Sequence, residues 1–115
     1  MSQNPKLLMT YVPCPSREVA LNLARTLVGE KLIACANILD GMSSVYIWED
    51  KIQEEHECLL LAKTTADAWA ALEKRICELH PYKIPCVVAY RAENTSEAFA
   101  QWVSENVAQN APTKI

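Results

Sequence analysis

Glycine and paired cysteine are scarce in this sequence, and each scarcity excludes a class of site. Gly29 and Gly41 are the only glycines, which excludes a glycine-rich loop that holds nucleotide phosphates. The five cysteines are an odd number without close pairing, so reduced thiols are expected rather than a disulfide framework. No CxxC or HxxxH arrangement occurs, so spacing alone defines no metal site.

Excess charge and long apolar runs are also lacking. Eleven basic and 14 acidic residues give a net charge of −3, and the basic residues are scattered, so nucleic acid is not an expected partner. No charged leader with a following apolar segment opens the sequence, and no apolar run approaches the roughly 20 residues that span a bilayer. We therefore expect a cytoplasmic protein without a membrane partner.

The remaining composition is that of an ordinary globular protein. The chain has 115 residues, of which 50% are hydrophobic and 22% are charged. This length suits one hydrophobic core without a disulfide or a structural metal to hold it. We expect one domain over residues 1–115, with a frayed tail at about 110–115.

Apolar periodicity predicts the element order β-α-β-β-α-β, followed by a closing helix. Ser16 is the expected N-cap of the first helix, and Thr64 or Thr65 that of the second. The prolines at 13 and 81 are expected to end the elements before them. The predicted elements are a strand at 7–12, a helix at 16–30, extended runs at 32–39 and 45–48, a strand at 56–63, a helix ending at 79, a strand at 85–90 and a helix opening at 94–97.

The element order is that of the ferredoxin-like split βαβ pattern, an α+β fold. Asp40-Gly41 is either a two-residue hairpin turn or a bulge that bends one long strand, and both give antiparallel pairing. Helices on one side of such a sheet leave its other face uncovered. Because the strands are apolar on both faces, a second subunit is the expected cover.

Four stretches resemble the CutA family in order and spacing, from the first predicted strand through the last helix. The resemblance implies a ferredoxin-like protomer with a long bent second strand, and a homotrimer paired through sheet edges that is similar to the PII signalling proteins. It also implies a role in divalent-cation tolerance, with copper or another divalent cation as a ligand, no required cofactor and no enzymatic activity. The four stretches are EKLIACAN at 30–37, SVYIWE at 44–49, LAKT at 61–64 and HPYKIP at 80–85.

The sequence departs from the family at the residues associated with copper. Some bacterial members carry a cysteine at the position of Val12 and a second histidine at the position of Leu79, so His80 alone remains of that trio. Many members carry glutamate at the position of Cys86, where a thiol could serve as a soft metal ligand. His80 is the single metal donor that the resemblance carries over.

The matched stretches also carry polar and aromatic residues suited to clefts between subunits. In a trimer these residues would line sites where small ligands commonly bind. The alternative, which we favour, is that Trp48 and Tyr82 are interface anchors. Cys35 is expected to serve in packing, with a reactive thiol as its alternative. The candidate cleft residues are Cys35, Tyr46, Trp48, Lys63, Tyr82 and Cys86.

The leading interpretation is a trimeric, metal-responsive binding or regulatory protein, and two other functions stay open. A cysteine-dependent enzyme would use Cys35 or Cys86 with His80 as its base. A trimeric signalling or protein-interaction platform would need no metal. The acidic stretch at 49–57 is interpreted as a solvated strand edge whose charges oppose unwanted pairing.

Overall fold

The computed structural model describes residues 6–108, which form one four-stranded antiparallel sheet and three helices. The strand order is β2-β3-β1-β4, so the predicted α+β fold and element order are confirmed. The predicted tail at 110–115 lies outside the described residues. The elements are β1 Leu7–Cys14, α1 Arg17–Gly29, β2 Cys35–Trp48, β3 Lys51–Thr65, a 3₁₀ turn Ala66–Ala68, α2 Trp69–Leu79, β4 Val88–Arg91 and α3 Glu97–Asn106.

The main core lies between one face of the sheet and the helices α1 and α2. Val12 and Leu60, which are register partners on β1 and β3, are fully buried there. Leu27 of α1 and Ile76 of α2 belong to the same cluster and are also fully buried. Alternation along a strand places every second residue on one face, so this face carries the even-numbered residues of β1 and of β3 from 58 to 64.

A second cluster joins α3 to the end of the sheet at which β1 begins. Ala100 and Val103 of α3 pack with Leu7 at the start of β1. Phe99 and Trp102 also lie on this helix, but they remain exposed and stack on each other with ring centroids 5.8 Å apart. The helix is therefore held by its small and β-branched residues rather than by its aromatic ones.

The predicted helix caps have different outcomes. The Ser16 side chain accepts a hydrogen bond from the Val19 N–H at 3.2 Å, which confirms it as the N-cap of α1. Thr64 instead lies buried within β3 and donates to the Leu32 carbonyl oxygen at 2.7 Å. Thr65 precedes the 3₁₀ turn without a capping bond from its side chain. Strand β3 extends to Thr65. Both threonines therefore belong to the strand rather than to the cap of α2.

Asp40-Gly41 is a bulge in one long strand rather than a hairpin turn. Leu39 pairs with Leu59 and Met42 pairs with Glu57, so β2 advances three residues while β3 advances two. Gly41 has φ +80°, a conformation that side chains disfavour. The extra residue reverses the alternation of β2, because even-numbered residues face the helices before the bulge and the opposite side after it. Tyr46 and Trp48 thereby reach the side opposite the helices.

Beyond the bulge, β2 and β3 continue as a two-stranded arm, defined here as residues 42–57. Pairing between β1 and β3 ends at Cys14 and Cys58, so within the described part of the chain the arm consists of β2 and β3 alone. Trp48 pairs with Lys51 across a two-residue turn, in which Glu49 and Asp50 have φ values of 51° and 66°. Positive φ at both central residues is typical of a type I′ hairpin turn. The acidic stretch at 49–57 thus forms the tip and one strand of the arm.

The sheet face opposite the helices, called the open face below, carries many apolar side chains. Met9, Val88 and Tyr90 are all exposed there, on the face that the register assigns to odd-numbered residues of β1. Contiguous exposed apolar surface of this kind marks an interaction site. Within residues 6–108, no helix is long and apolar enough to cross a membrane.

Candidate functional site

A groove of about 670 Å³ lies where the arm meets the loop between α2 and β4. Strand β1 and the arm supply part of its wall, and the bulge turns the aromatic residues of β2 toward it. The loop supplies the rest. Its lining residues are Tyr11, Pro13, Ser44, Val45, Tyr46, Ile47, Trp48, Glu57, Tyr82, Lys83, Ile84 and Cys86.

A hydrogen bond between Tyr82 and Glu57 joins the loop to the arm. The Tyr82 hydroxyl donates to Glu57 Oε2 at 2.6 Å, which is short, as expected for a charge-assisted bond. Burial raises the pKa of Tyr82, and the bond to the Glu57 carboxylate raises it further. Tyr82 therefore stays a neutral donor, and the Glu57 side chain is held in the groove.

The groove also has an acidic character around Tyr46. Desolvation raises the pKa of Tyr46, and the negative charges of Glu55 and Glu57 raise it further. Glu55 and Glu57 pair with Ser44 and Met42, so both leave β3 on the side of the open face. The Tyr11 hydroxyl, from the neighbouring strand, approaches the Met42 sulfur at 3.9 Å.

His80 lies behind the groove, and both of its ring nitrogens are engaged. Nδ1 accepts a hydrogen bond from the Tyr82 N–H at 3.1 Å, since a backbone N–H can only donate. Nε2 then carries the proton and donates to the Pro13 carbonyl oxygen at 2.9 Å. The side chain is buried, and its ring packs against Tyr82 with centroids 4.7 Å apart. His80 thus fixes the loop that carries Tyr82.

The structure brings four of the six candidate cleft residues together. Tyr46, Trp48, Tyr82 and Cys86 all line the groove. Cys35 and Lys63 are register partners elsewhere on the open face, and neither lines the groove. The Lys63 ammonium donates instead to the Asn37 side chain.

The donor groups of the described residues do not assemble into a metal centre within one chain. Across residues 6–108, no three or more histidine, cysteine or carboxylate side chains are grouped so that they could hold an ion. His80 would have to exchange one of its two hydrogen bonds for a metal. A site built on His80 would therefore need donors that residues 6–108 of one chain do not bring to it.

A family model described as "CutA1 divalent ion tolerance protein" matches residues 8–106. The "Divalent-cation tolerance protein CutA" of Thermus thermophilus is 41% identical over 98 residues, covering 85% of this chain and 95% of that protein. The chain belongs to the CutA1 family. The resemblance drawn from the four sequence stretches is confirmed.

Solved CutA structures agree with the fold. CutA1 from Oryza sativa superposes with a TM-score of 0.89 at 33% identity, covering 93% of this chain and 98% of that one. CutA from Archaeoglobus fulgidus, described as periplasmic, superposes with a TM-score of 0.85 at 31% identity, covering 89% and 99%. Since that relative is described as periplasmic, the cytoplasmic location of this chain stays a prediction.

Eight of the twelve groove residues of this CutA1 chain were not among the predicted cleft residues, and Glu57 and Tyr11 are the two that bear most on its chemistry. Glu57 was grouped with a solvated acidic edge, and that interpretation is wrong for this residue, because its side chain is buried. Tyr11 was interpreted only as part of a buried strand. The sequence signal that could have indicated the burial of Glu57 is its position next to Cys58, where the apolar part of the strand begins. A strictly alternating pattern does not predict the rest of the groove, because the bulge reverses the alternation of side chains along β2.

Where the structure shifts the pKa of a thiol in this CutA1 chain, the pKa is raised. These thiols are therefore protonated rather than activated as nucleophiles. Partial burial and the nearby Glu57 carboxylate raise the pKa of Cys86. Burial, then the charges of Cys58 and Glu57, raise the pKa of Cys14 to about 12. A raised pKa lowers the fraction of nucleophilic thiolate. This opposes the alternative in which Cys86 attacks a substrate.

Proposed function

We propose that this protein is a single-domain, non-enzymatic homotrimer that responds to divalent metal ions, with copper as the metal. In this proposal the trimer is the binding and regulatory unit of a cation-tolerance response. His80 contributes one donor from each copy, and the remaining donors come from neighbouring copies. Membership of the CutA1 family supports the cation-tolerance part.

The observation that carries the assembly is the exposure of the arm. Val45, Ile47 and Ile52 lie on its helix-side surface and are 68%, 70% and 74% exposed. A two-stranded ribbon is marginally stable in water by itself, and three large aliphatic side chains exposed together make it an interaction surface. A neighbouring copy that packs against this helix-side surface supplies the missing cover, and closed symmetry limits the number of copies.

A shared metal site fits the distribution of donors. Each copy offers a buried imidazole but no complete ligand group in residues 6–108. Copper accepts both imidazole and thiol donors, and trimer symmetry would repeat any site formed between neighbours. The platform without metal remains the alternative, because the exposed arm supports assembly in either case.

Native mass spectrometry of gently purified protein, with and without added copper, tests both parts of the proposal. We expect a trimer mass and an uptake of about three copper ions per trimer, one for each equivalent site. His80→Gln should reduce uptake while leaving the trimer mass, and His56→Gln, at an exposed histidine, is the matched control. A metal-free trimer would favour the platform, and a monomer would contradict the assembly.

A further inference from the structure

We propose that the groove binds a small organic cation, with Glu57 facing its ammonium group and the rings of Tyr46 and Trp48 facing its apolar body. An organic cation is a different ligand class from a metal ion, and Glu57 rather than His80 would receive it. The inference therefore goes beyond the proposed metal response and does not depend on it.

The carboxylate of Glu57 is the first reason. The residue is only 9% exposed, and within residues 6–108 it forms no ion pair. The Tyr82 hydroxyl is its one hydrogen-bond donor there, whereas a carboxylate can accept about four such bonds. Burying a charge without a partner is costly. A cationic ligand would supply the missing partner.

The surrounding charges favour a cation as well. Glu55 leaves β3 on the same side as Glu57, and the charges of both raise the pKa of Tyr46. Lys83 also lines the groove, but this residue is exposed. The long stem of a lysine lets its ammonium remain in water. The buried part of the groove therefore keeps a negative potential.

The aromatic rings would contact the apolar body of the ligand. Tyr46, Trp48, Tyr82 and Tyr11 all line the groove. A cation over the face of tryptophan or tyrosine is attracted by the ring quadrupole, and flat apolar groups stack on the same rings. The volume of about 670 Å³ falls in the range of roughly 300–1,000 Å³ that small-molecule pockets occupy.

Calorimetric titration of the full-length protein, in the assembly it forms in solution, tests this inference. Phenethylammonium is the probe, and 2-phenylethanol is its neutral counterpart of similar shape. We expect the amine to bind at least about tenfold more tightly than the alcohol, a difference of about 1.4 kcal/mol. Equal affinities would overturn the proposal, and so would a failure of the amine to bind, as when side chains of a second copy fill the groove.

Glu57→Gln removes the charge while keeping the shape and an acceptor for Tyr82. It should weaken amine binding at least about tenfold and leave the alcohol unchanged. Glu54→Gln is the matched control, because Glu54 is exposed on the other side of the same strand, opposite Val45, and it should leave both affinities unchanged.

Unchanged amine binding in folded Glu57→Gln would overturn the proposal. Should that variant fail to fold, Trp48→Leu replaces it, with an expected loss of amine affinity of about threefold or more. Unchanged amine binding in Trp48→Leu would likewise contradict the assigned role of the aromatic wall. Native masses recorded for each variant separate a loss of the ligand from a loss of the trimer.

Discussion

His80 joins the end of β1 to the loop after α2, because its ring bridges the Pro13 carbonyl oxygen and the Tyr82 N–H. The groove therefore depends on a histidine that does not line it. Tyr82 in turn holds Glu57, so hydrogen bonds link β1, β3 and the loop after α2, which are three separate segments of the sequence. Sequence analysis identified His80 and Tyr82 as functional candidates, but their connection becomes visible only in the fold.

Cys14 and Cys58 lie directly opposite each other on β1 and β3, and both are buried. Their thiols face different oxygen acceptors, the Val12 carbonyl at 3.5 Å and the Asp40 side chain at 3.3 Å. Burial raises the pKa of both thiols, and in Cys58 the bond to Asp40 adds to the effect. These two cysteines are core residues that resist ionisation, as their burial predicts.

The raised pKa of Cys14 predicts a loss of stability in alkaline solution. Below pH 9.0 the thiol is protonated in both states; between 9.0 and about 12 the unfolded chain releases the proton but the folded chain does not. The free energy of unfolding should therefore fall by up to about 1.4 kcal/mol per pH unit above 9. Cys14→Ala should lose less stability than the wild type between pH 8.5 and 10.5.

Urea unfolding at fixed protein concentration measures this pH dependence. Cys77→Ala is the matched control, since Cys77 is an exposed cysteine on α2, and it should follow the wild-type curve. Parallel pH curves for Cys14→Ala and the wild type would show that another group causes the alkaline loss.

At the scale of elements, the turn of the arm contains local strain. Glu49 and Asp50 both occupy the left-handed region, which disfavours side chains with a Cβ. Replacing the pair by Asn-Gly, the preferred type I′ sequence, should raise the free energy of unfolding by about 0.5–1 kcal/mol, because the strain is relieved. Urea unfolding measures the gain.

The control for the turn is Glu73→Gly, at an exposed position inside α2. Glycine there should lower the free energy of unfolding by about 1 kcal/mol, as it does within helices generally. A destabilised Asn-Gly variant would mean that Glu49 or Asp50 makes a contact that outweighs the strain, for example with a neighbouring copy.

The elements differ in how far the sequence predicts them. The first helix is confirmed because Ser16 and the spacing of Leu23 and Leu27 agree. Strand β1 was predicted to end at Val12, but it continues through Pro13 and Cys14. Pro13 is tolerated there because proline lacks only the N–H donor, and its carbonyl oxygen is free to accept from His80.

The sequence could not predict the groove as a unit. The wall of the groove depends on which side chains of β2 lie on the open face. A single extra residue at the bulge changes that set from odd-numbered to even-numbered residues. Alternation counted from Ile38, which faces the core, would turn Tyr46 and Trp48 toward the helices. The acidic start of β3 also lacks the apolar pattern of a strand, since it pairs with β2 alone.

At the scale of the whole molecule, the uncovered surfaces are continuous. The open face of the sheet runs into the groove, and the groove runs into the arm, whose other surface exposes Ile47 and Ile52. Because these two residues are register partners, they form one apolar patch on the arm. Assembly of copies would cover this patch, which borders the groove because Ile47 is also one of the lining residues.

Ile47→Glu tests the proposed assembly at its most exposed part. Burying a carboxylate against an apolar neighbour without a partner costs several kcal/mol, so the trimer should dissociate or weaken strongly. Native mass spectrometry across a dilution series measures the shift. Val28→Glu is the matched control, because Val28 is an exposed valine on α1, and its mass distribution should match the wild type. An intact Ile47→Glu trimer would show that the arm's helix-side patch stays in solvent and that copies meet through the open face alone.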